Sequence, residues 1–451
     1  MVAPLPVALL WAPPARVAPV TTEPYVEGLE VDVAVVGLGT AGAAVAAFLA
    51  EGGLSVIGLD RRPLDVAGAR WVNGVPAWMF HEAQVALPVA PELRGGGHPF
   101  HVVCGTGPSR VVLRDTGVLE VDMRYLVSRL QERARAAGAR LQGEVRVVSR
   151  SGELLETSAG TLRATYVIDA SGLGGAGLMS TTAPAPEHIC VAAQAVHTVT
   201  DLGAARAYMA RHEIGPGETL CFTGIAGGFS ILNLRLHGET LSILTGSIPA
   251  MGHPSGNAIL DTFVQEEPWV GEPIFGGARA IPLSRPVDRI VEGSVALLGD
   301  SARQVFTVHG SGIGIGLIAA RTLADTLCAG DPLDAYRVRW MRSYGALQAT
   351  YEVFRRFSAG LTVEDLRALV EAGLMNAKAA GPTMAQRWPA IDPSGWARSA
   401  LGAFNEPALG ARLAGVGARM ALVRALYAIH PKNPDQVDSW ARRVERILPL
   451  Q

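Results

Sequence analysis

The apolar positions of this chain fall into two regimes. Val31-Asp32-Val33-Ala34-Val35-Val36 is almost unbroken, as is Leu54-Ser55-Val56-Ile57-Gly58-Leu59. The same habit returns far downstream in Tyr166-Val167-Ile168-Asp169 and Ser294-Val295-Ala296-Leu297-Leu298. Strands covered on both faces read this way, which points to a buried parallel sheet. From about His188 to Leu283 the pattern changes to strand-length runs separated by turn residues. There Gly228 to Arg235, a turn at His237-Gly238 and Thr240 to Thr245 predict a β-hairpin.

Helical spacing marks other stretches. A helix is expected from about Ala41 to Glu51, and another from Asp122 to Ala137, where Leu126, Leu130 and Ala134 share one face before Gly138. A third runs from about Gly312 to Ala329, and Tyr336 to Gly360 and Val363 to Ala380 follow. Apolar and Arg residues alternate around Ala411 to Ile429. Trp71 to Phe80 mixes aromatics with turn residues and reads as a loop. The order of elements divides the chain into an arm (1–28), a first part of a Rossmann-like core (29–180, with a loop-and-strand insertion at 70–118), a mainly β substrate domain (181–285), a second part of the core (286–330) and a helical C-terminal region (331–451). The fold class is therefore α/β with an inserted β-sheet domain.

Glycine-rich turns close these strands. Gly37-Leu38-Gly39-Thr40-Ala41-Gly42 directly follows the first. In such a turn one glycine permits the reversal, the next lets backbone N–H groups approach a diphosphate, and the last lets the helix pack close to the strand. The helix N-terminus adds unpaired donors and a positive dipole end. Asp60 ends the second strand at the spacing of about 20 residues expected of an acid that accepts from ribose hydroxyls. Arg61 and Arg62 follow it, placed to touch phosphate. The second turn is Asp169-Ala170-Ser171-Gly172, and the third is Gly299-Asp300-Ser301-Ala302 followed by Gly310-Ser311-Gly312-Ile313-Gly314. Together they outline one dinucleotide site assembled from distant segments.

Composition narrows the rest. The chain has 451 residues and a net charge of −2, with no basic stripe, which argues against nucleic acid as a partner. Its only lysines are Lys378 and Lys432. Cys104, Cys190, Cys221 and Cys328 show neither a CxxC pair nor a metal-ligand spacing, so reduced cysteines in a cytoplasmic protein and no metal are expected. The stretch before Tyr25 is apolar but broken by prolines, and reads as an arm rather than a signal peptide or spanning helix. The Arg-flanked apolar run from Arg412 to Ile429 leaves peripheral membrane contact open, against the alternative that it packs on a core with its arginines solvated.

Beside these turns stand Val121-Asp122-Met123-Arg124-Tyr125-Leu126, the run from Ala280-Ile281-Pro282-Leu283 into Gly299-Asp300, and Leu333 to Tyr336 with Trp340. Taken together, roughly Val31 to Asn376 resembles the geranylgeranyl reductase-like branch of FAD-dependent oxidoreductases, which share the p-hydroxybenzoate hydroxylase type of FAD fold. The resemblance implies FAD held by Gly37, Gly39, Thr40, Ala41, Gly42, Asp60, Arg61, Ala170, Gly172, Gly299, Asp300, Gly310, Gly312 and Ile313, with Arg70 and Arg124 as further contacts. Asp300 would accept from the ribityl chain, and the helix start at Gly310 to Gly314 would face the pyrimidine end of the flavin. The sequence departs from the family at Thr307, where proline is usual, at Met123, where arginine is common, and at His309, where threonine is common. His309 is thus either a proton donor or substrate-orienting group near the flavin edge, or a histidine satisfied by backbone.

Three reaction classes share such a fold. The resemblance implies hydride transfer through flavin N5 to or from a hydrophobic small molecule, an isoprenoid or secondary metabolite, with NAD(P)H or a separate reductase as electron source. The rival is a monooxygenase that uses a flavin peroxide, with reduced flavin from a separate reductase. Halogenation is disfavoured, since no lysine precedes Lys378 and the segment around Phe229 lacks the tryptophans of that class. A non-enzymatic FAD-binding or membrane-associated role completes the field. Trp71, Trp78, Phe80, Phe229, Ile231 and Asn233 are the candidate substrate contacts.

Overall fold

In the computed structural model the described residues are 26–388 and 406–449. The expected arm therefore lies outside them except for its last three residues, 26–28, of which Val26 is buried. Along the chain, β1 (Leu29–Val36), α1 (Thr40–Glu51) and β2 (Val56–Leu59) form the first unit. The segment read as a loop is instead β3 (Val72–Pro76) and a short helix α2 (Ala77–Glu82). Its turn residues misled because Val72, Val75, Met79 and Phe80 bury against other elements, and tertiary burial outweighs local turn preference.

Next come β4 (Leu93–Gly96), β5 (Phe100–Cys104), β6 (Arg110–Leu113), β7 (Val118–Asp122), α3 (Met123–Ala136), β8 (Arg140–Gln142), β9 (Val147–Ser151), β10 (Leu154–Thr157) and β11 (Gly160–Asp169). The central region holds β12 (Ile189–Val199), α4 (Leu202–Arg211), β13 (Thr219–Thr223), β14 (Ser230–His237), β15 (Thr240–Ser247), α5 (Gly256–Glu266) and β16 (Val270–Pro282). The chain then returns through β17 (Val291–Glu292), β18 (Val295–Leu297) and α6 (Ile313–Cys328). It ends in α7 (Asp334–Trp340), α8 (Ala346–Ala359), α9 (Val363–Glu371), α10 (Ala377–Met384), α11 (Pro407–Ala428) and α12 (Val437–Glu445). The expected helix 336–360 is interrupted by one π-helical turn at Met341–Gly345, and the expected helix 363–380 breaks near Gly373, which takes φ +70°.

The strands make three sheets. The largest has the order β17-β18-β11-β1-β2-β8, extended by the β9/β10 hairpin. Its four central pairings, β18 to β11, β11 to β1, β1 to β2 and β2 to β8, are parallel, as the unbroken apolar runs require. The second sheet is β16-β12-β15-β14-β13-β5-β6, antiparallel but for β13 with β5. The third is β3-β7-β4. The parallel sheet and α1, α3 and α6 share the main core, around Val33, Val35, Phe48, Leu126, Ile168 and Leu317. A separate core lies between the second sheet and α4 and α5, where Leu232, Leu234 and Ile243 meet Met209, Ile259 and Phe263.

One consequence of strand alternation positions the site. Leu232 and Leu234 point into the second core, so Ile231, Asn233 and Arg235 stand on the opposite face. Through the register that face continues into Leu244, Gln194 and Gly277. It looks toward the parallel-sheet half, because Gln194 Oε1 accepts the N–H of Val72 at 3.1 Å.

Candidate functional site

The first glycine turn is held by its own backbone. Gly37 takes φ +95°, and a Cβ there would lie 2.5 Å from the Ala170 carbonyl oxygen. A Cβ at Gly42 would lie 1.8 Å from the Gly37 carbonyl oxygen. Both positions therefore exclude any side chain. Gly39 caps α1 without a side-chain acceptor, so the N–H groups of the first turn remain free to meet an anion. Asp60 splints the turn: one carboxylate oxygen accepts from Leu38 N–H at 2.8 Å and the other from Arg62 N–H at 2.9 Å. Arg61 is exposed beside it, and Arg70 Nη1 donates to the Asp65 carbonyl at 2.6 Å, closing the loop that follows β2.

The second turn locks against the first. Asp169 accepts from Ser171 N–H at 3.0 Å and Ala176 N–H at 3.1 Å, which fixes the chain after Ala170. Gly172 takes φ +91° with open space at its Cβ position. The third turn is stapled to the second, since Ser301 Oγ donates to the Asp169 carbonyl at 2.6 Å. Gly299 takes φ +71°, and its N–H donates to Gln304 Oε1 at 2.7 Å. Gly310 takes φ +70°, and Gly312 caps α6, again without a side-chain acceptor. Gly314 is forced by packing, for a Cβ there would lie 2.1 Å from Met79 Sδ on α2.

Asp300 is a half-buried polar group at the third turn. Its carboxylate is 3.3 Å from where a Gly312 Cβ would stand, at the start of α6. Burial raises its pKa above the ordinary carboxylate value, opposed by the charge of Arg279. No hydrogen bond to this carboxylate exists among the described residues. A half-buried acceptor beside an uncapped helix N-terminus and two glycine turns suits a hydroxylated, anionic ligand, and so fits FAD.

The remaining candidates divide. Arg124 chelates Asp122 through Nε (3.0 Å) and Nη2 (2.7 Å) and stacks on Phe275 at 3.9 Å, so it ties α3 to β16. His309 packs on Phe306 at 4.9 Å, with Nε2 3.3 Å from the Thr383 carbonyl. Burial pushes its pKa down to about 4, so near pH 7 the ring is neutral and interacts as imidazole rather than imidazolium. Trp78 Nε1 donates to the Ala385 carbonyl at 2.8 Å, and Arg387 lies over its ring at 4.7 Å. The stretch 377–388 thus lies across both His309 and Trp78.

Phe80 is wholly buried, and Trp71 nearly so, in the main core. Phe229 packs with Cys190, Ile248 and Leu283. Asn233 Oδ1 is buried on the inward face of β14 with no hydrogen-bond partner among the described residues. An open groove of about 450 Å³ lies between α5 and β16, lined by Gln194, Asn257, Leu260 and Gly277, and contains none of the sequence-derived candidates. Also near the first glycine turn is Arg279, which sequence reading did not single out and whose Nη2 donates to the Gly68 carbonyl. Its only signal was strand alternation two positions ahead of Ile281.

Comparison with known proteins adds distant relatives. No protein-family model matches the chain. A digeranylgeranylglycerophospholipid reductase of Methanothrix thermoacetophila is 27% identical over 391 residues, 76% of this chain and 90% of that enzyme. The reductase of the same name from Sulfolobus acidocaldarius is 27% identical over 189 residues, 39% of this chain and 40% of that enzyme. The chain is a distant homologue of these digeranylgeranylglycerophospholipid reductases. Among solved structures, a geranylgeranyl bacteriochlorophyll reductase-like protein from Thermoplasma acidophilum superposes with a TM-score of 0.68 at 18% identity, over 86% of this chain and 99% of that one. A probable FAD-dependent monooxygenase from Pseudomonas aeruginosa reaches 0.56 at 16% identity, over 76% and 99%. These two likenesses show the fold alone. Among the described residues no helix is long and apolar enough to cross a membrane. Two of the three arginines on α11 are engaged within the protein, Arg412 with Asp365 at 3.5 Å and Arg424 over the Trp388 ring at 4.3 Å.

Proposed function

We propose that this chain binds FAD between its parallel-sheet half and the inward face of the second sheet, and reduces or oxidises a hydrophobic small molecule there. The observation that carries the reading is the half-buried Asp300 carboxylate at the start of α6, without a hydrogen-bond partner among the described residues, beside glycine turns that pack together at Gly37 and Ala170 and are tied at Ser301 and Asp169. On this reading the first turn of α1, with Gly37, Gly39, Thr40, Ala41 and Gly42, receives the diphosphate. Asp60 takes the adenosine ribose, and Asp300 takes a ribityl hydroxyl. Ala170, Gly172, Gly299, Gly310, Gly312 and Ile313 form the surrounding backbone. Bound FAD would supply two-electron hydride chemistry, and the residues described here would bind, orient and exclude water.

The inward face of β14 serves as the substrate wall, with Ile231 and Asn233 on it. Asn233 Oδ1 is the acceptor that a substrate hydroxyl or amide would satisfy. The cover formed by 377–388 over His309 and Trp78 shields that space. The names of the homologous reductases favour an isoprenoid substrate, with electrons from NAD(P)H or a separate reductase. We further propose that 29–180 with 286–330 act as the FAD-binding unit, 181–285 as the substrate unit and 331–451 as its cover, in a cytoplasmic protein.

The test is anaerobic. Purified protein loaded with FAD, photoreduced, and mixed with a geranylgeranyl lipid should reoxidise without dioxygen and saturate the substrate's double bond. Reoxidation and product formation that appear only with dioxygen would replace hydride transfer by monooxygenation. Failure to take up FAD would remove both readings.

A further inference from the structure

The long edge strand β16 carries Phe275, Gly277 and Arg279 on its inward face, paired in register with Val196, Gln194 and Ala192 of β12. Two contacts fix where that face points: Phe275 lies under Arg124, and Gln194 binds the N–H of Val72. Farther along, Arg279 reaches into the other half of the molecule and donates to the Gly68 carbonyl. Gly68 abuts the first glycine turn: a Cβ on Gly39 would stand 3.1 Å from Gly68 Cα, and a Cβ on Gly68 would stand 3.7 Å from Thr40 N. The guanidinium therefore stands at the mouth of α1, where the free N–H groups emerge.

Its charged neighbours locate it further. Burial lowers the Arg279 pKa, and the charges acting on it are Arg62, Asp300, Arg61 and Asp60. Arginine nevertheless remains a cation near neutral pH. In FAD the diphosphate joins the adenosine ribose to the ribityl chain. On the reading above, Asp60 takes the first and Asp300 the second, and Arg279 stands where both act on it. Among the described residues one donor of its guanidinium is used, on Gly68, and the fork suits a phosphate oxygen.

We propose that Arg279 is a diphosphate-binding residue contributed by the substrate-side sheet, so that one guanidinium joins the Gly68 loop, the cofactor diphosphate and β16. The inference rests on the FAD reading and adds a charge partner to the glycine turns. The α1 cradle offers backbone donors with Arg61 and Arg62 beside it, and Arg279 supplies a further positive charge from the other half of the protein. Cofactor binding would then also fix β16, and with it the substrate wall, against the glycine turns.

The experiment titrates FAD, ADP, adenosine and riboflavin into full-length apoprotein, as wild type, Arg279→Met and Arg279→Lys, by calorimetry or flavin fluorescence. Arg279→Met should bind FAD and ADP about 10- to 100-fold more weakly, the loss of a charge-assisted phosphate contact. Adenosine and riboflavin, which carry no diphosphate, should bind wild type and variant alike. Arg279→Lys should recover part of the loss, and the melting temperature of apoprotein should fall by no more than the loss of the one hydrogen bond to Gly68 explains. Equal FAD affinity in wild type and Arg279→Met overturns the inference and leaves the FAD reading standing. So does a loss that extends equally to adenosine and riboflavin, which is the mark of a structural role. If Arg279→Met does not fold, the same comparison is made with Arg279→Lys, where FAD and ADP affinity equal to wild type in a diphosphate-specific assay at high salt overturns it. Wild type that takes up neither FAD nor ADP overturns the cofactor reading, and this inference with it.

Discussion

The two halves that face each other across the candidate site are built on different principles. The parallel-sheet half makes its binding surface from backbone: turns at Gly37, Gly172 and Gly299, and two helix starts with no side-chain cap. The second sheet makes its surface from side chains on alternate positions of β14, β12 and β16. Such a site tolerates little change: at Gly37 and Gly42 a single Cβ meets a carbonyl, and Gly172 and Gly299 take positive φ. A side-chain site tolerates substitution of the wall while its opposite face keeps the core. The difference teaches where cofactor affinity and where substrate choice should respond to mutation.

The sharpest way to break that comparison is glycine against glycine. Gly42→Ala places a Cβ 1.8 Å from the Gly37 oxygen and should cost about 3 kcal/mol of stability with loss of FAD uptake, read by denaturant unfolding and absorbance. Gly277→Ala on β16 meets nothing within 4 Å and should change stability by less than about 0.5 kcal/mol. Comparable losses from both would dissolve the distinction. Gly39→Val should likewise abolish FAD uptake by blocking backbone approach to phosphate.

Asp300 gives the next largest effect, with opposite signs in apo and loaded protein. Its pKa is raised in the folded state, so protonation favours folding. That contribution is complete below the unfolded carboxylate pKa and is lost as pH rises through the raised value. Apo Asp300→Asn should therefore be more stable than wild type at pH 7, with less loss of stability on going up from pH 4. Its FAD affinity should drop by about tenfold, the difference between a charged and a neutral acceptor. A variant that melts lower as apoprotein, or binds FAD as well as wild type, would contradict this assignment.

His309 titrates in the other direction. Its pKa is depressed to about 4, so the stability of the neutral ring is present above the usual histidine value near 6.5 and is lost as pH falls toward 4. His188 is depressed to about 4 and His430 to about 3, so the acid limb is shared. His309→Gln should flatten part of that limb. His309→Ala should keep FAD and slow only the half-reaction with substrate, seen by stopped-flow. An unchanged rate would leave His309 to packing on Phe306.

The smallest effect belongs to the wall. Asn233→Leu removes a buried oxygen that has no partner among the described residues, and should raise apo stability by up to about 1 kcal/mol. FAD affinity should hold while KM for substrate changes. A fall in FAD affinity equal to that of Asp300→Asn would place Asn233 in the cofactor site instead.

Much of the fold was legible because periodicity reports burial. Unbroken runs such as Val31 to Val36 marked the parallel strands, and Leu126, Leu130 and Ala134 marked α3. The β3–α2 segment was misread because Val72 to Phe80 owes its order to distant partners rather than to local propensity. Arg124 was expected as an FAD contact, and its partners Asp122 on β7 and Phe275 on β16, which come from separate elements, were not legible. Phe80 looked like a pocket aromatic and is core. Arg279 carried no motif at all, since its meaning depends on the sheet face it shares and the loop it reaches.

The sequence by itself determined the parallel strands β1, β2, β11 and β18 and the glycine turns that follow them, because steric exclusion at a turn and burial along a strand act on neighbouring residues. Tertiary structure decided which of the three turns touch, through Ser301 on the Asp169 carbonyl, and which sheet face looks inward, through Gln194 on Val72. It alone set the ionisation of His309 and the partners of Arg124 and Arg279. Charge and desolvation depend on what lies within a few ångströms in space, and those neighbours come from parts of the chain that no local pattern connects.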